Sequence, residues 1–339
     1  MGKILSIIIP TYNMENYLRK CLDSLIVSDV NMNALEVLVI NDGSKDFSSR
    51  IAHEYETKYL QTFRVIDKDN GNYGSCVNRG LKEMTGKYVK VLDADDYFAT
   101  DSLDSYIEFL RHIDADLVIS PYVKVNEARK VINSIQFIPS SNKTVLFSDE
   151  QVGNTIFSKH FQMHAVTYKT QIFKSLNYIQ SEGISYTDQE WMFTPLTQVK
   201  TIAYFNKTLY YYLLGRKGQT MDMGSQIKQV GHHMQGTLKM LKDYNRFSVN
   251  KEVNNYLTHR LNRRVSEIFK ICMLYDLPYE KLHIFDSEIK AQNLAYYNQL
   301  DNIVIHKYFP YHFIRNWHHQ KKSVLFDIYK ILKKFVKTY

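Results

Sequence analysis

Three carboxylates follow a short run of β-prone residues near position 90. Residues 88–92 read YVKVL, and Asp93, Asp95 and Asp96 come within the next four positions. Like charges at this spacing repel one another and shift each other's pKa unless a cation lies among them. In proteins, Mg²⁺ is typically bound by one or two carboxylates together with the phosphates of a substrate. The spacing therefore predicts a place where a divalent cation holds a diphosphate.

The carboxylates end one of several β-prone runs that alternate with helical patterns over the first 120 residues. This alternation is typical of an α/β fold with a mostly parallel, Rossmann-like sheet and flanking helices. Ligands of such sheets bind beyond the carboxyl ends of the strands, where the polar turns 10–13, 41–44 and 93–96 fall. The predicted strands are 4–9, 35–40, 63–66, 88–92 and 116–120, and the predicted helices are 16–26, 48–59, 75–84 and 101–113.

The pattern changes near residue 222. From there on it is helical, with long periodic stretches at 226–244 and 250–274 that contain no proline. We therefore predict an α/β domain over residues 1–222, followed by a helical region over residues 223–339. The apolar fraction of 45% is sufficient for a packed core in a chain of 339 residues.

The net charge of +8 is concentrated at the C-terminal end. Residues 302–339 contain eight Lys and Arg side chains against one Asp, so the rest of the chain is nearly neutral. In the last segment, residues 320–339, lysines lie on one helical face and apolar side chains on the other. This pattern predicts a membrane-surface helix, and the alternative is a terminal helix packed on its own core. No nucleic-acid-binding motif accompanies the charge, so we expect no nucleic-acid partner.

The cysteines and histidines suggest no structural metal or disulfide framework. The three cysteines are far apart, form no CxxC pair and fit a reduced, cytoplasmic compartment. His160 and His164 lie four positions apart, but no third ligand is spaced nearby, so we expect no metal site there. No run of eighteen apolar residues predicts a transmembrane helix.

Four segments taken together carry a resemblance to a known family. Read in order, they are PTYN at 10–13 followed by Glu15, NDGS at 41–44, NYGSCVNRG at 72–80, and DADD at 93–96. In this order and spacing the set resembles the family 2 glycosyltransferases, which have the GT-A fold. The resemblance covers roughly residues 3–220.

This resemblance implies an enzyme that takes a sugar from a nucleotide diphosphate, usually UDP, and inverts its anomeric centre. The metal, Mn²⁺ or Mg²⁺, would be bound by Asp95 and Asp93 and would neutralise the leaving diphosphate. Asp93 would also face the ribose, and Asp42 the uracil. Asp96 is interpreted as a capping residue of the turn.

The resemblance also implies a set of residues that contact the nucleotide sugar. Asn78 would lie beside the base or the diphosphate. The alternative for Asn78 is an ordinary helix-start residue, and the alternative for Gly80 is an ordinary helix-end residue. Arg216 and Lys217 would lie on a loop over the diphosphate, and a solvated basic loop is the alternative. The implied nucleotide-sugar contacts are Pro10, Thr11, Tyr12, Glu15, Asp42, Asn72, Asn78, Arg79, Asp93, Ala94, Arg216 and Lys217.

An inverting transfer also needs a base that removes the proton of the acceptor hydroxyl. In the family, a carboxylate about ninety residues after the DxD triplet has this role, and Asp188 in YTDQEW matches it. Glu190 is the rival, and Asp188 is alternatively a helix N-cap. Trp191 is either a sugar-stacking wall or a core residue.

We therefore expect a UDP-sugar-dependent transferase of cell-surface polysaccharide assembly, peripheral at the cytoplasmic face of a bacterial membrane. Its acceptor would be a saccharide, in particular a lipid-linked one. One alternative is a protein or soluble acceptor, with the basic tail as an oligomer interface. Another is a non-catalytic scaffold that binds nucleotide sugars.

Overall fold

A computed structural model of the chain describes residues 2–137, 144–147, 150–158, 160–216, 219, 223–304 and 312–319. It divides into two compact units. The first comprises the described residues up to 219 together with 249–253, and the second comprises those of 220–248 and from 254 onward. Lys217 and the predicted helix at 320–339 lie outside the described residues.

The first unit is built on two β-sheets. The larger sheet has the strand order β3-β2-β1-β4-β10-β6-β11-β9, and the smaller has the order β5-β12-β7-β8. The strands are β1 (Leu5–Thr11), β2 (Leu35–Asn41), β3 (Phe63–Asp67), β4 (Tyr88–Val91), β5 (Tyr97–Phe98), β6 (Leu117–Ile119), β7 (Tyr122–Val125), β8 (Val131–Ile135), β9 (Val145–Leu146), β10 (Val166–Lys169), β11 (Thr201–Tyr204) and β12 (Tyr210–Leu213).

The large sheet is parallel through β3, β2, β1 and β4, as the alternating sequence pattern predicts. Beyond β4 it is mixed, because β10 enters antiparallel between β4 and β6. Every residue of β1 and β2 is buried, which explains their continuous β-branched and aliphatic runs. The carboxyl ends of β1, β2 and β4 therefore share one edge, as predicted.

Helices cover this sheet, and one of them packs unusually closely. A Cβ at Gly80 would lie 2.5 Å from the Ile8 side chain on β1, so Gly80 serves helix packing rather than a helix end. The helices of the first unit are α1 (Glu15–Asp23), α2 (Asp29–Ala34), α3 (Ser48–Lys58), α4 (Asn72–Glu83), α5 (Thr100–Arg111), α6 (Glu150–Ile156), α7 (Gln171–Leu176) and α8 (Asp188–Trp191), with 3-10 helices at Met163–Ala165 and Pro195–Gln198.

The second unit is helical, which confirms the predicted fold class of an α/β sheet followed by a helical C-terminal region. Leu261, Phe269 and Phe285 are among its fully buried side chains. Across the described residues, none of the helices is long and apolar enough to cross a membrane. The remaining helices are α9 (Met223–Lys228), α10 (Val230–Arg246), α11 (Lys251–Leu274), which begins in the first unit, α12 (Tyr279–Gln292), α13 (Leu294–Tyr297) and α14 (Phe313–His318), with a 3-10 helix at Leu300–Asn302.

Candidate active site

Asp93 is the first residue of a turn that begins two residues after the end of β4. The turn is closed by a hydrogen bond from the Asp96 amide to the Asp93 carbonyl (2.9 Å). The Tyr73 hydroxyl, on α4, donates to Oδ1 of Asp93 at 2.9 Å. Burial raises the pKa of Asp93 to about 7, and the neighbouring charges of Asp95 and Asp188 act in the same direction. A cation at this carboxylate would therefore relieve a concentrated negative charge.

Asp95 is held by a residue that is distant in sequence. Nε of Arg216 forms an ion pair with Oδ2 of Asp95, and both side chains are largely buried. The Arg216 guanidinium also lies over the ring of Tyr17, with 5.6 Å between its carbon and the ring centroid. Arg216 thus connects the loop after β12 with the carboxylate turn and with α1. The predicted partner Lys217 lies outside the described residues.

Asp96 is bound by β12 of the small sheet. Its Oδ2 accepts a hydrogen bond from the Tyr210 hydroxyl (2.6 Å), and its Oδ1 accepts one from the Leu213 amide (2.7 Å). The Asp93 amide in turn donates to the Tyr210 hydroxyl at 3.2 Å. Burial raises the pKa of Asp96 well above its usual range. The Asp96 carboxylate therefore ties the turn to β12 rather than capping the turn itself.

Asp188 reaches the same region from a separate segment of the chain. It is the first residue of α8, and Thr187 is at the N-cap, so the interpretation of Asp188 as the N-cap is wrong. Tyr186 just before it has a φ of 65°, a left-handed conformation that is costly for a bulky residue. The segment approaches α4 so closely that a Cβ at Gly74 would lie 1.9 Å from the Ser181 carbonyl oxygen.

Asn78 fixes this approach of the segment to α4. Its side-chain Nδ2 donates to the Gln180 carbonyl (2.8 Å), and its Oδ1 accepts a hydrogen bond from the backbone amide of Gln180 (2.8 Å). It also donates to Oε1 of Glu182 at 2.8 Å. Arg79 is exposed and forms an ion pair with Glu83 on its own helix (2.9 Å). Asn78 thus contacts the segment that carries Asp188. Neither of the two roles considered for Asn78, helix-start chemistry or a nucleotide contact, includes this interaction.

The two neighbours of Asp188 that we considered for chemistry are both buried. Oε2 of Glu190 accepts a hydrogen bond from the Ser181 amide at 2.9 Å, and the residue is 1% exposed. Trp191 stacks on Phe173, with 4.6 Å between ring centroids, and meets Tyr168 edge-on at 5.5 Å. With 2% of its surface exposed, Trp191 is a core residue.

The first strand-end turn has a mixed environment. Pro10 and Thr11 are buried at the end of β1, whereas Tyr12 is 45% exposed. Glu15 begins α1, and its Oε2 accepts a hydrogen bond from the Phe47 amide at 2.9 Å. The backbone after β1 is thereby joined to the turn after β2, which places the two predicted nucleotide loops side by side.

Asp42, at the end of β2, is buried and paired. Its Oδ1 accepts hydrogen bonds from Nζ of Lys68 (2.5 Å) and from the Gly71 amide (2.9 Å). Asn72 follows at the start of α4 with a φ of 68°, a left-handed conformation that asparagine tolerates better than most residues. Ala94 is 2% exposed within the carboxylate turn. The structure therefore holds Asp42 in a network with the start of α4.

His164 lies in the core beside the carboxylate turn. Its ring stacks on that of Tyr212, with 4.1 Å between centroids and an interplanar angle of 25°. Burial lowers the pKa of His164 to about 3, and the charges of Lys90 and Lys124 add to this effect. The imidazole is therefore neutral.

Tyr73, Tyr210 and His164 are the residues near the carboxylates that the sequence did not identify. Tyr73 lies within the NYGSCVNRG segment and follows Asn72, so its position in the sequence is a signal that it lies near the site. Tyr210 is one of 26 tyrosines, and His164 was judged to lack a third ligand. Tyr210 lies on β12, and His164 lies directly before β10. No local sequence pattern encodes where these two strands are placed in the sheets.

The large mixed sheet with the carboxylate turn after β4 is a fold of the GT-A type. Solved structures with this fold include residues 1–349 of S. aureus TarS in complex with UDP-GlcNAc, with a TM-score of 0.60, 17% identity and coverage of 94% of this chain and 93% of that one. Another is the mannosyltransferase PcManGT from Pyrobaculum calidifontis in complex with GDP-Man and Mn²⁺, with a TM-score of 0.52, 13% identity and coverage of 98% and 87%.

Sequence comparison gives the family. Residues 6–175 match the profile of Glycosyl transferase family 2. The chain is 30% identical over 221 residues to the uncharacterized glycosyltransferase MG025 of Mycoplasma genitalium, covering 64% of this chain and 70% of that protein. It is 29% identical over 225 residues to the glycosyltransferase GlyA of Streptococcus pneumoniae, covering 63% of this chain and 31% of GlyA. The chain belongs to glycosyltransferase family 2, and the predicted family and enzyme class are confirmed.

Proposed function

We propose that this glycosyltransferase moves a sugar from a UDP-sugar to a saccharide acceptor with inversion of the anomeric centre. The observation that carries the proposal is the proximity of two kinds of carboxylate. Tyr73 on α4 donates to Asp93, and Asn78 on the same helix is hydrogen-bonded to Gln180, in the segment that leads to Asp188. The charge of Asp188 also contributes to the raised pKa of Asp93. A donor-side carboxylate and a base for the acceptor are both needed for a single displacement.

On the donor side, the edge formed by β1, β2 and α4 would bind the nucleotide. Asp42 is oriented by Lys68, and Arg216 lies at the carboxylate turn, where it forms an ion pair with Asp95. An arginine forms strong charge-assisted hydrogen bonds with phosphate oxygens. TarS bound to UDP-GlcNAc and UDP supports a UDP-sugar as the donor.

The donor set at the carboxylate turn fits a divalent cation, Mn²⁺ or Mg²⁺. Asp93 and Asp95 would bind it, because carboxylate oxygens are the ligands these cations prefer. Asp93 is half-buried, and desolvation together with the charge of Asp95 raises its pKa to about 7, so its ionised form is disfavoured unless a cation lies nearby. When bound, such a cation stabilises the negative charge that develops on the leaving diphosphate.

On the acceptor side, Asp188 would accept the proton of the attacking hydroxyl. It is half-buried at the start of α8. Glu190 is less suited, because it is buried and accepts a hydrogen bond from the Ser181 amide. The proposal therefore assigns base catalysis to Asp188 and a structural contact to Glu190.

Asp188→Asn tests the assignment, with Glu190→Gln as the comparison. We expect Asp188→Asn to lower the rate of sugar transfer by about 10²–10⁴-fold, the usual contribution of a general base. UDP affinity, measured by titration calorimetry with Mn²⁺, should stay unchanged. Glu190→Gln should instead lower the thermal unfolding temperature. Full transfer activity in Asp188→Asn would rule out Asp188 as the base.

The acceptor is proposed to be a lipid-linked saccharide of cell-surface polysaccharide assembly, reached by a peripheral protein at the cytoplasmic face of the membrane. The basic pattern of residues 320–339 supports this, since lysine-rich amphipathic segments bind anionic lipid surfaces. Deletion of residues 320–339 should release the protein from phosphatidylglycerol vesicles in sedimentation. Unchanged sedimentation would favour a soluble or protein acceptor, with the tail available for oligomer contacts.

We also propose that residues 1–222 form the catalytic domain and residues 223–339 a helical region that serves acceptor or membrane binding. A non-catalytic role is the competing function. A screen of UDP- and GDP-sugars for Mn²⁺-dependent hydrolysis discriminates between them, because slow hydrolysis requires an active donor site. Binding without any hydrolysis or transfer would favour the scaffold.

A further inference from the structure

The buried histidine beside the carboxylate turn has an unusual environment. His164 is 6% exposed, and a ring nitrogen lies within 4.8 Å of carboxylate oxygens of both Asp93 and Asp96. Ligand atoms around one six-coordinate cation lie about 3–4 Å apart, given metal–oxygen distances near 2.1 Å. These three side chains are therefore close enough to surround a single ion with small adjustments.

The imidazole also has an unused polar atom. Within the described part of the chain, Nδ1 of His164 is buried and has no hydrogen-bond partner. Buried polar atoms in proteins are nearly always hydrogen-bonded, so an exception points to a missing partner. Packing alone explains the ring stacking on Tyr212, but it does not explain why a buried histidine with an unpartnered nitrogen lies beside two carboxylates.

A buried lysine fixes the position of this histidine relative to Asp93. Nζ of Lys90 donates to the carbonyl oxygens of His164 (2.8 Å) and Val166 (3.0 Å). Lys90 is fully buried and lies three residues before Asp93 on the same stretch of chain. The backbone of His164 is therefore tied to the strand that ends in the carboxylate turn.

The two carboxylates of this cluster differ in what they can offer. Both oxygens of Asp96 already accept hydrogen bonds, from Tyr210 and Leu213. Asp93 accepts one, from Tyr73 on Oδ1, and no partner of Oδ2 is found among the described residues. Asp93 is thus the better ligand, with Asp96 fixing the turn from behind.

We propose that His164 is a nitrogen ligand of the divalent cation, which it binds together with Asp93. This inference rests on the proposed metal-dependent function, and it adds a ligand that lies outside the DADD segment. One imidazole among carboxylates disfavours Mg²⁺, a hard cation that takes oxygen ligands, relative to Mn²⁺. The site is therefore selective for Mn²⁺ over Mg²⁺.

Pulsed EPR of Mn²⁺ bound with UDP tests the ligand directly. The full-length protein is prepared with natural-abundance histidine and with ¹⁵N-histidine. We expect a nitrogen coupling that changes with the isotope in the wild type. His164→Phe, which preserves ring stacking on Tyr212, should lose this coupling, and its Mn²⁺ affinity should fall at least about tenfold. His283→Phe is the matched control, because His283 also packs on an aromatic ring, that of Trp317 at 4.5 Å, and it should retain the coupling.

The outcomes separate this inference from the proposed function. Mn²⁺ bound without a histidine nitrogen coupling in the wild type, or a coupling that persists in His164→Phe, overturns His164 as a ligand and leaves sugar transfer intact. Failure of Mn²⁺ to bind in the presence of UDP overturns both. A coupling in a protein that neither transfers nor hydrolyses any sugar supports the ligand and contradicts the enzyme function.

Discussion

Replacing Gly74 with alanine tests how the segment that carries Asp188, the proposed base, is positioned. Gly74 is the third residue of α4, and its missing Cβ would lie 1.9 Å from the carbonyl oxygen of Ser181. Nonbonded atoms are most stable about 3.5–4 Å apart, so the two backbones must separate by more than about 1 Å. Asp188 lies seven residues beyond Ser181, and its segment would shift relative to Asp93.

We expect Gly74→Ala to lower the transfer rate by about 100-fold, the cost of a misplacement of about 1 Å in a catalytic group. The free energy of unfolding should fall by about 1–3 kcal/mol, as for other overpacked sites. Helix propensity alone predicts the opposite sign, a gain of about 0.5–1 kcal/mol for Gly to Ala in a helix. UDP affinity should change little, because the displaced segment carries the proposed base and not the proposed nucleotide contacts.

Gly231→Ala provides the matched control. Gly231 is also near the start of a helix, α10, but an added Cβ there meets no atom within 4 Å. This variant should retain its transfer activity and unfold at the same or a slightly higher temperature. The measurements are steady-state transfer, UDP calorimetry and thermal unfolding. If Gly74→Ala has wild-type activity and stability, the close approach of α4 to Ser181 is not what positions Asp188.

Three further predictions concern other contacts. Arg216→Ala should weaken UDP-sugar binding by about 10–100-fold, since a hydrogen bond to a charged group contributes about 1.5–3 kcal/mol. Titration calorimetry measures this affinity, and unchanged binding would mean that Arg216 is only a structural partner of Asp95. Burial opposes the charged form of His318, but the hydrogen bonds that its ring donates to the carboxylates of Asp286 and Asp301 outweigh this effect and raise its pKa. The folded state then binds more protons, so the stabilisation is complete below pH 6.5 and is lost as the pH rises through the raised pKa. His318→Gln should flatten this part of a plot of unfolding temperature against pH. An unchanged slope would exclude His318 as the source of the pH dependence. Trp191→Ala should destabilise the protein by about 3–5 kcal/mol, as loss of a core tryptophan does, whereas a higher KM with wild-type stability would restore the sugar-wall interpretation.

The sequence was sufficient for the fold class and for the edge of the sheet where chemistry occurs. Buried parallel strands require continuous apolar runs, and β1 and β2 show them without interruption. Because the carboxyl ends of parallel strands meet at one edge, the turns at 10–13, 41–44 and 93–96 could be grouped from their order alone. The family resemblance pointed to Asp188 as a candidate base, whose role stays a prediction.

Several details of the site could not be read from the sequence. Trp191 and Glu190 looked available for sugar or proton contacts, but burial is decided by which elements pack on α8. Asp96 looked like a turn cap, whereas its carboxylate binds Tyr210 on a strand 114 residues further along the chain. Side-chain hydrogen bonds of this range leave no local periodicity or spacing to detect.

By itself, the sequence determined that carboxylates end a buried strand and that strands and helices alternate, since both are local properties of the chain. Only the tertiary structure decided what surrounds those carboxylates. The antiparallel entry of β10 beside β4 brings His164 to Asp93, and Lys90 connects the two backbones. Strand pairing depends on the free energy of the whole packed sheet, so no short segment encodes which histidine or tyrosine will face the carboxylate turn.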